Sequence, residues 1–420
     1  MKAYAPLFLL TTLIHTKFRI NLKTLVLKTF PLLMRSSLFL GVVASVFPLL
    51  VCMNSKVGNH SGPLYFLLPF ISAFLGIIIE KPHRRRELAV YVANQAIELL
   101  YRMGTSRGFL PEIKNGREIL FTVSFAILVY FHRHHRKVLA NSVNQLLKVI
   151  VGVESEMDFL EERVSKIYFW YKNKFPRSLG FIFSEDENTA PNTRKCKHSY
   201  GCKTYAVVGF LKAFLLGFFV KTSFVFLPAL LLGPHKILSN FSKLVSKVLV
   251  KSTLQFSLFW GIMSGGPRGT ECFLRWIRGT DDGINSLLAG FVGGLSVVFF
   301  SSIDVAMYIA SKAAESLFNE LVERNVMKPV NHGEVLLFSL STAALFYASA
   351  YEPHNLRRSY FSWLMKFSEG HWAHFYKAFT PVRLEAGVPD ITAYNKWEKE
   401  FANEVISKYI TPQQMAQHYS

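Results

Sequence analysis

Charged residues are scarce in this chain of 420 residues, where Asp, Glu, Lys and Arg make up only 18% of the sequence. In soluble globular proteins about a quarter of the residues are charged, and the apolar residues follow a helix or strand periodicity instead of forming blocks. Here half of the residues are hydrophobic, and many of them lie in blocks. This balance excludes a disordered or fibrous chain and argues against an ordinary cytosolic enzyme.

Acidic residues, cysteines and catalytic motifs are also few. The 48 Lys and Arg outnumber the 28 Asp and Glu, but the excess lies beside apolar blocks, where it orients membrane spans, so we predict no nucleic-acid partner. Four scattered cysteines cannot form a disulfide framework. Phosphate-binding loops, nucleophile elbows and His-Glu-x-x-His motifs are missing. The sequence therefore predicts no enzyme activity and no cofactor.

Several apolar blocks are long enough to cross the hydrocarbon core of a bilayer, which takes roughly 17 to 25 helical residues. Two of the shorter blocks reach this length only with uncharged or snorkelling neighbours. Six spans are predicted in this way, at residues 37–53, 62–79, 118–131, 252–264, 284–303 and 335–351.

A further segment, residues 88–103, contains Asn94, Gln95 and Glu98 in an apolar background. Basic clusters lie before it at residues 81–86 and after the next apolar block at residues 132–137. Both clusters lie on the same side of the membrane only if residues 88–103 cross it, as the positive-inside rule favours. The other interpretation is an amphipathic helix that lies in the interface. The same question applies to residues 305–318 in the second half of the chain.

The sequence repeats itself at a constant offset of 217 residues. Residues 71–121 align without a gap to residues 288–338, so that Glu98 matches Glu315 and Gly76 matches Gly293. Such self-similarity indicates a duplicated unit. The predicted fold class is all-α, a polytopic helical membrane protein with six to eight spans in two homologous four-helix repeats. The predicted domains are a first membrane repeat (1–150), a soluble linker with a Cys/His segment (151–203), a second membrane repeat (204–355) and a soluble tail (356–420).

The polar helix of each copy has a stripe of small residues on one side and a stripe with a glutamate on the other. Because lipid exposure of a carboxylate is costly, Glu98 and Glu315 must face protein or water. Either they line a polar seam between the repeats, or they lie on a wet interfacial face or pair with Arg102 and Lys312. Small residues allow helices to approach closely. The predicted packing residues are Ala89, Ala93, Ala96, Gly290, Gly294, Ala306, Ala310 and Ala313.

A segment with three arginines and two aspartates, residues 267–285, precedes the glycine-rich helix, and we predict that it forms a loop. Arginine–carboxylate bonds at a membrane edge are strong, so we expect the last two arginines to bond an aspartate or Glu315; the alternative is a solvated loop that anchors lipid headgroups. Substituting Arg278 by Gln should then reduce function without preventing insertion. The candidate binding residues are Arg275, Arg278, Asp281, Asp282 and Asn285, together with Glu98 and Glu315.

Cysteine and histidine, the usual zinc ligands, occur together in the segment Cys196-Lys-His198-Ser-Tyr-Gly-Cys202. Its spacing matches no familiar zinc knuckle and it supplies only three ligands, so it is a weak metal candidate beside a free-thiol loop. Three histidines at residues 132–135 lie among arginines, which favours a charged helix flank over a metal site.

Several motifs resemble, in order, the transmembrane protein 135 family along nearly the whole chain, to about residue 366. They are Tyr4-Ala-Pro-Leu, the run from Tyr91 to Gly104, and Cys272-Phe-Leu-Arg-Trp-Ile-Arg278 followed by Asp281-Asp282. Family members usually carry a cysteine- and histidine-bearing segment before the first motif, which the resemblance predicts to be missing or shortened here. Residues 272–294 are also similar, more weakly, to the superfamily of mitochondrial inner-membrane translocase subunits.

The resemblance implies a multi-pass protein of peroxisomal and mitochondrial membranes that is linked to mitochondrial fission and to fatty-acid and fat-storage homeostasis. It also implies membrane lipids and organelle-dynamics proteins as partners, and a homo-oligomer stays open. Two other hypotheses are a transporter or channel that moves a lipid-like or ionic substrate through a polar seam, and a membrane scaffold or protein-import component. The surroundings of Glu98 and Glu315 distinguish these two hypotheses. A water-accessible cavity at these side chains favours a carrier, and closed ion pairs favour a scaffold.

Overall fold

A computed structural model describes residues 22–56, 62–152, 159–174, 196, 198, 201–231, 250–380, 383–384 and 387–409. Most of these residues are helical, and none of them forms a β-strand. This confirms the predicted all-α class. Numbered in chain order within the described residues, the helices are α1 (Leu22–Lys56), α2 (Gly62–Ile79), α3 (Pro82–Ser106), α4 (Gly116–His134), α5 (Asn141–Ile150), α6 (Phe159–Lys174), α7 (Cys202–Leu231), α8 (Lys251–Arg278), α9 (Gly283–Gly294), α10 (Ile303–Glu323), α11 (Gly333–Tyr351), α12 (Arg358–Phe367), α13 (His371–Ala378), α14 (Ile391–Trp397) and α15 (Asn403–Ser407).

Three helices of the described residues are long and apolar enough to cross a membrane: Phe30–Asn54, Cys202–Ser223 and Gly333–Tyr351. Two shorter apolar helices, Leu64–Ile79 and Gly283–Val298, lie near this limit. The sequence interpretation did not include Cys202–Ser223, where Lys203, Lys212 and Lys221 interrupt the apolar residues. The total number of spans stays a prediction, as does the crossing of residues 88–103 and 305–318.

The predicted span at residues 284–303 is wrong at its C-terminal end. Helix α9 ends at Gly294 and continues as a 3-10 turn only to Val298. Two consecutive glycines at this point weaken a helix because glycine loses the most backbone freedom on folding. Helix α10 then starts at Ile303, with Ser302 in an extended conformation before it.

The predicted loop at residues 267–285 is also wrong. Helix α8 continues through Pro267 to Arg278, and Gly279 ends it in a left-handed conformation with φ of 68°. Packing outweighs the helix-breaking tendency of proline here, because α8 lies close along α7. A Cβ added at Gly265 would lie only 2.8 Å from Cβ of Phe210. Only Gly279 to Asp282 separate α8 from α9.

Only part of the predicted linker lies within the described residues. The balanced charge of residues 154–200 and their turn-rich end predict a solvent-exposed loop with a short helix at residues 154–171. Helix α6 occupies Phe159–Lys174, and residues 153–158 lie outside the described residues. Contrary to the predicted exposure, Glu161 and His198 are buried. These two side chains have partners on α8, which removes them from solvent.

The chain divides into two compact units whose boundaries differ from the predicted domain boundaries. Unit 1 contains residues 1–112 and 330–420, and unit 2 contains residues 113–329. Within unit 1, α11 packs against α2 and α3, and within unit 2, α4 packs against α9 and α10. The last helix of each sequence copy is thus packed among the helices of the other copy.

The core of unit 1 has a membrane-helix part and an aromatic part. Ala89 on α3 is buried against Val335 and Phe338 on α11, and an aromatic cluster joins the tail helices to Phe47 on α1. Most rings of that cluster meet edge-on or tilted, and Phe47 stacks on Trp372, which stabilises beyond burial alone. Its largest buried members are Phe361, Trp372, Tyr376, Tyr394 and Trp397.

The core of unit 2 centres on α4, which supplies phenylalanines at two successive turns. Phe121 and Phe125 stack with their ring centroids 5.9 Å apart, and Phe121 also contacts Phe259 on α8 at 5.6 Å. Ala306 and Ala313 of α10 belong to the same cluster. Helices α4, α8 and α10 therefore share one apolar core.

Candidate functional site

The glutamate of α3 lies in a closed ion-pair arrangement. Glu98 is 8% exposed, and its carboxylate accepts a 2.6 Å hydrogen bond from Arg102, one turn further along α3. The guanidinium of Arg357, before α12, bonds the second carboxylate oxygen. A cavity beside Glu98 has a volume of about 10 Å³, which is the space of about one water molecule. The Glu98 carboxylate is therefore paired with two arginines beside a small cavity.

The matching glutamate of α10 has one identified cation partner on its own helix. Lys312 Nζ donates to Glu315 Oε2 at 2.9 Å, and both side chains are mostly buried. The sequence alternatives named both Arg102 and Lys312, and both pairings are present. The ion pair of Glu98 with Arg357 was missed, because Arg357 lies 259 residues away and its equivalent position in the first copy, Ala140, has no charge.

Most residues of the two small-residue stripes are buried between helices. Ala89, Ala93 and Ala96 are buried, and so are Ala306 and Ala313, whereas Ala310 is half-buried. A Cβ added at Gly290 would lie 2.6 Å from the Cα of Ala126, and one at Gly294 would lie 2.7 Å from the Cα of Thr122. Both glycines therefore allow backbone contact between α9 and α4.

The arginines at the end of α8 bond the aspartates that follow, as predicted. Arg275 Nε donates to Asp281 at 2.8 Å, and Arg278 holds Asp282 through two bonds of 2.7 Å. Asn285 joins this group, because its Oδ1 accepts a hydrogen bond from Arg278, and its side-chain amide donates to Thr280 O at 2.7 Å. The Arg278 guanidinium holds the pKa of the Asp282 carboxyl below its usual value. Asp282 also caps α9, so these bonds fix the four-residue connection between two helices.

A buried charged triad in unit 2 was not predicted from the sequence. Arg268 on α8 is fully buried and bonds Glu161 on α6 at 2.8 and 3.2 Å, while Lys212 on α7 donates to the same carboxylate at 3.2 Å. Burial opposes ionisation of Glu161, but the bonds and charge of Arg268, with those of Lys212, outweigh it and lower the pKa of this carboxyl. Gly209 leaves space for the arginine, since a Cβ there would lie 2.6 Å from Arg268 Cδ.

Four metal-ligating side chains meet close to this triad. Cys196, His198 and Cys202 from the weak sequence candidate are joined by Cys272 of α8, and their ligand atoms all lie within 4.8 Å of one another. The sequence could not reveal the fourth residue, because it lies 74 positions after His198. The three histidines at residues 132–135 lie at the end of α4. The His132 side chain is fully buried, and His134 Nε2 lies 3.2 Å from Ser286 Oγ.

Residues 1–105 match the family model for the N-terminal cysteine-rich region of transmembrane protein 135. This match covers a quarter of the 420 residues and shows that this part of the chain is similar to the N-terminal region of transmembrane protein 135. The matched residues contain one cysteine, Cys52. No solved structure matches the chain. This partial match and the three long apolar helices among the described residues together support a membrane protein.

Proposed function

We propose that this protein is a non-enzymatic scaffold of peroxisomal and mitochondrial membranes that acts in lipid homeostasis and mitochondrial fission. The organelles and the two processes are supported by the resemblance to transmembrane protein 135. The scaffold role, as opposed to a carrier, is supported by one observation. Glu98 is closed by Arg102 and Arg357, beside a cavity with room for about one water molecule.

A carrier needs a substrate site that water can reach. A transporter of this kind binds its substrate near the middle of the membrane, in a site that opens to water on alternate sides. Both oxygens of the Glu98 carboxylate are bonded by guanidinium groups, so a cationic substrate would have to compete with an arginine. The glutamate instead joins α3 to the segment before α12 within unit 1.

The proposal is tested in cells that lack the protein and are complemented with variants. Localisation, mitochondrial length and the lipid composition of isolated organelles are measured for the wild type and for the double variant Glu98→Met with Arg357→Met. Replacing a buried ion pair by apolar residues of similar size is often neutral for stability. A scaffold should therefore keep its function in this variant, whereas Glu98→Met alone should reduce protein abundance.

The result that would overturn the scaffold role is a double variant with normal abundance and location but no rescue of lipid composition. A carrier would show this outcome, because its substrate site needs the charge. Arg324→Gln serves as the matched control, since this exposed arginine pairs with Glu320 one turn away on the surface of α10. Localisation of the wild-type protein to neither organelle would overturn the organelle assignment independently.

A further inference from the structure

Three sulfur ligands and one nitrogen ligand point at a common centre in unit 2. Cys196 and His198 precede α7, Cys202 is the first residue of α7, and Cys272 lies in α8. His198 Nε2 lies 3.2 Å from Cys272 Sγ, and Cys202 Sγ lies 3.8 Å from Cys196 Sγ. All four ligand atoms fit within 4.8 Å of one another.

These distances suit a shared metal ion better than a disulfide. A disulfide needs its sulfurs about 2.05 Å apart, whereas Cys196 and Cys202 are free cysteines at 3.8 Å. In a tetrahedral zinc site with Zn–S bonds of about 2.3 Å, neighbouring sulfurs lie about 3.8 Å apart. The spacing within the cluster is therefore that of ligands arranged around one ion.

The surroundings hold the ligands in place. The ring of His198 stacks on Tyr205, with centroids 4.5 Å apart and planes 13° apart, and the guanidinium of Arg268 lies over the same tyrosine at 4.7 Å. His198 and Cys272 are both buried. Contacts that orient the ligands from outside are typical of real metal centres, because they fix the direction of each donor atom.

We propose that Cys196, His198, Cys202 and Cys272 bind one Zn²⁺ ion in a closed, structural Cys3His centre. Sulfur and imidazole ligands in a tetrahedral arrangement favour zinc, whereas magnesium and calcium prefer oxygen. With four protein ligands, no position stays open for a substrate, which distinguishes the centre from a catalytic one. On binding, the thiols release their protons to solvent and coordinate as thiolates. The ion ties the segment before α7 to α8.

The test uses the full chain, purified in detergent without added metal. Elemental analysis by mass spectrometry should find about one zinc ion per chain in the wild type. The variants Cys272→Ser and His198→Ala should lose most of it. Cys52→Ser is the matched control, because Cys52 lies in α1, outside the cluster, and this variant should keep the wild-type zinc content.

A second measurement replaces zinc by Co²⁺ after chelation. The wild type and Cys52→Ser should show the strong visible absorption of tetrahedral thiolate-bound cobalt, and Cys272→Ser should not. Wild-type protein without zinc that also takes up no Co²⁺ would overturn the proposal. So would a Cys196–Cys202 disulfide in unreduced peptides, or iron with inorganic sulfide in place of zinc. Both wild-type measurements decide the question even if a cluster variant fails to fold.

Discussion

At the scale of single residues, one group of buried charges joins three helices of unit 2. Arg268, Glu161 and Lys212 come from three different helices and exclude solvent from one another. Taking charges out of water is costly, and loss of one member of such a group leaves another charge buried without compensation. The triad therefore makes the packing of α6 on α7 and α8 depend on a single carboxylate.

Two adjacent glutamates test this dependence with the same substitution. Glu161→Gln should destabilise the protein by about 3 kcal/mol or more, because Arg268 and Lys212 would stay buried without a carboxylate. Glu162→Gln should change stability little, because Glu162 and its partner Lys166 are exposed. Thermal unfolding of both variants in detergent measures the difference. Equal midpoints for the two variants would contradict the structural role of the triad.

A buried histidine makes stability depend on pH. His132 is fully buried, and burial together with the charge of Arg133 lowers its pKa to about 4. Its pKa in the unfolded chain is about 6.5. Between these values the unfolded chain binds the extra proton, so stability is complete above about pH 6.5 and falls by about 1.4 kcal/mol per unit towards pH 4.

The measurement is the unfolding midpoint in detergent across this pH range. His132→Gln should flatten the decline below pH 6.5, whereas His371→Gln, at an exposed position, should keep the wild-type slope. An unchanged slope in His132→Gln would show that another group carries the pH dependence.

Sequence distance decides which of these residue contacts could be predicted. Arg275 and Asp281 are six positions apart, at one helix end, so their bond was foreseeable from charge and spacing. Arg268 and Glu161 are 107 positions apart, and only the packing of α6 against α8 brings them together. Cys272 was missed as a metal ligand for the same reason. Local charge patterns are readable from sequence, whereas buried long-range partners depend on the tertiary fold.

At the scale of helices, several bounds recur with the offset seen in the sequence. Helix α4 (Gly116–His134) corresponds to α11 (Gly333–Tyr351), and α5 (Asn141–Ile150) corresponds to α12 (Arg358–Phe367), each 217 positions later. Asn115 before α4 and His332 before α11 both have a left-handed backbone, with φ of 58° and 57°. Equivalent sequences thus start and end helices in equivalent ways, even where the aligned residues differ.

Glycine contacts between helices give a prediction at this scale. Gly290→Ala should destabilise the protein by about 1–3 kcal/mol, because the new methyl group meets the backbone of Ala126 at 2.6 Å and the helices must separate. Gly41→Ala, also within a helix, should be tolerated, since a Cβ there has nothing within 4 Å. Thermal unfolding in detergent compares the two. Equal stability of both variants would argue against close packing of α9 on α4.

At the scale of the whole molecule, sequence copies and compact units are different divisions of the chain. Unit 1 begins with residues 1–112 and is completed only by residues 330–420, so α11 reaches its packing partners late in the chain. Identical residues that recur in register predict a duplication from the sequence alone. They do not predict how α4 and α11 pack, since both helices are apolar and each could be packed within its own copy.

This exchange predicts how the two halves of the chain behave when they are separated. Residues 1–150 contain α2 and α3 but lack α11, so Ala89 and Ala96 would lose the cover of Phe338, Leu345 and Ala348. Expressed alone, this half should be degraded, and co-expression with residues 151–420 should restore its abundance.

A C-terminal half that carries Gly290→Ala should restore the abundance of the N-terminal half less well than the unaltered C-terminal half. The reason is that α4 of the N-terminal half packs against α9 of the C-terminal half, where Gly290 lies. Abundance is measured by immunoblot of both halves in membrane fractions. An N-terminal half that is equally abundant alone and with its partner would contradict the exchange, because each copy would then fold on its own helices.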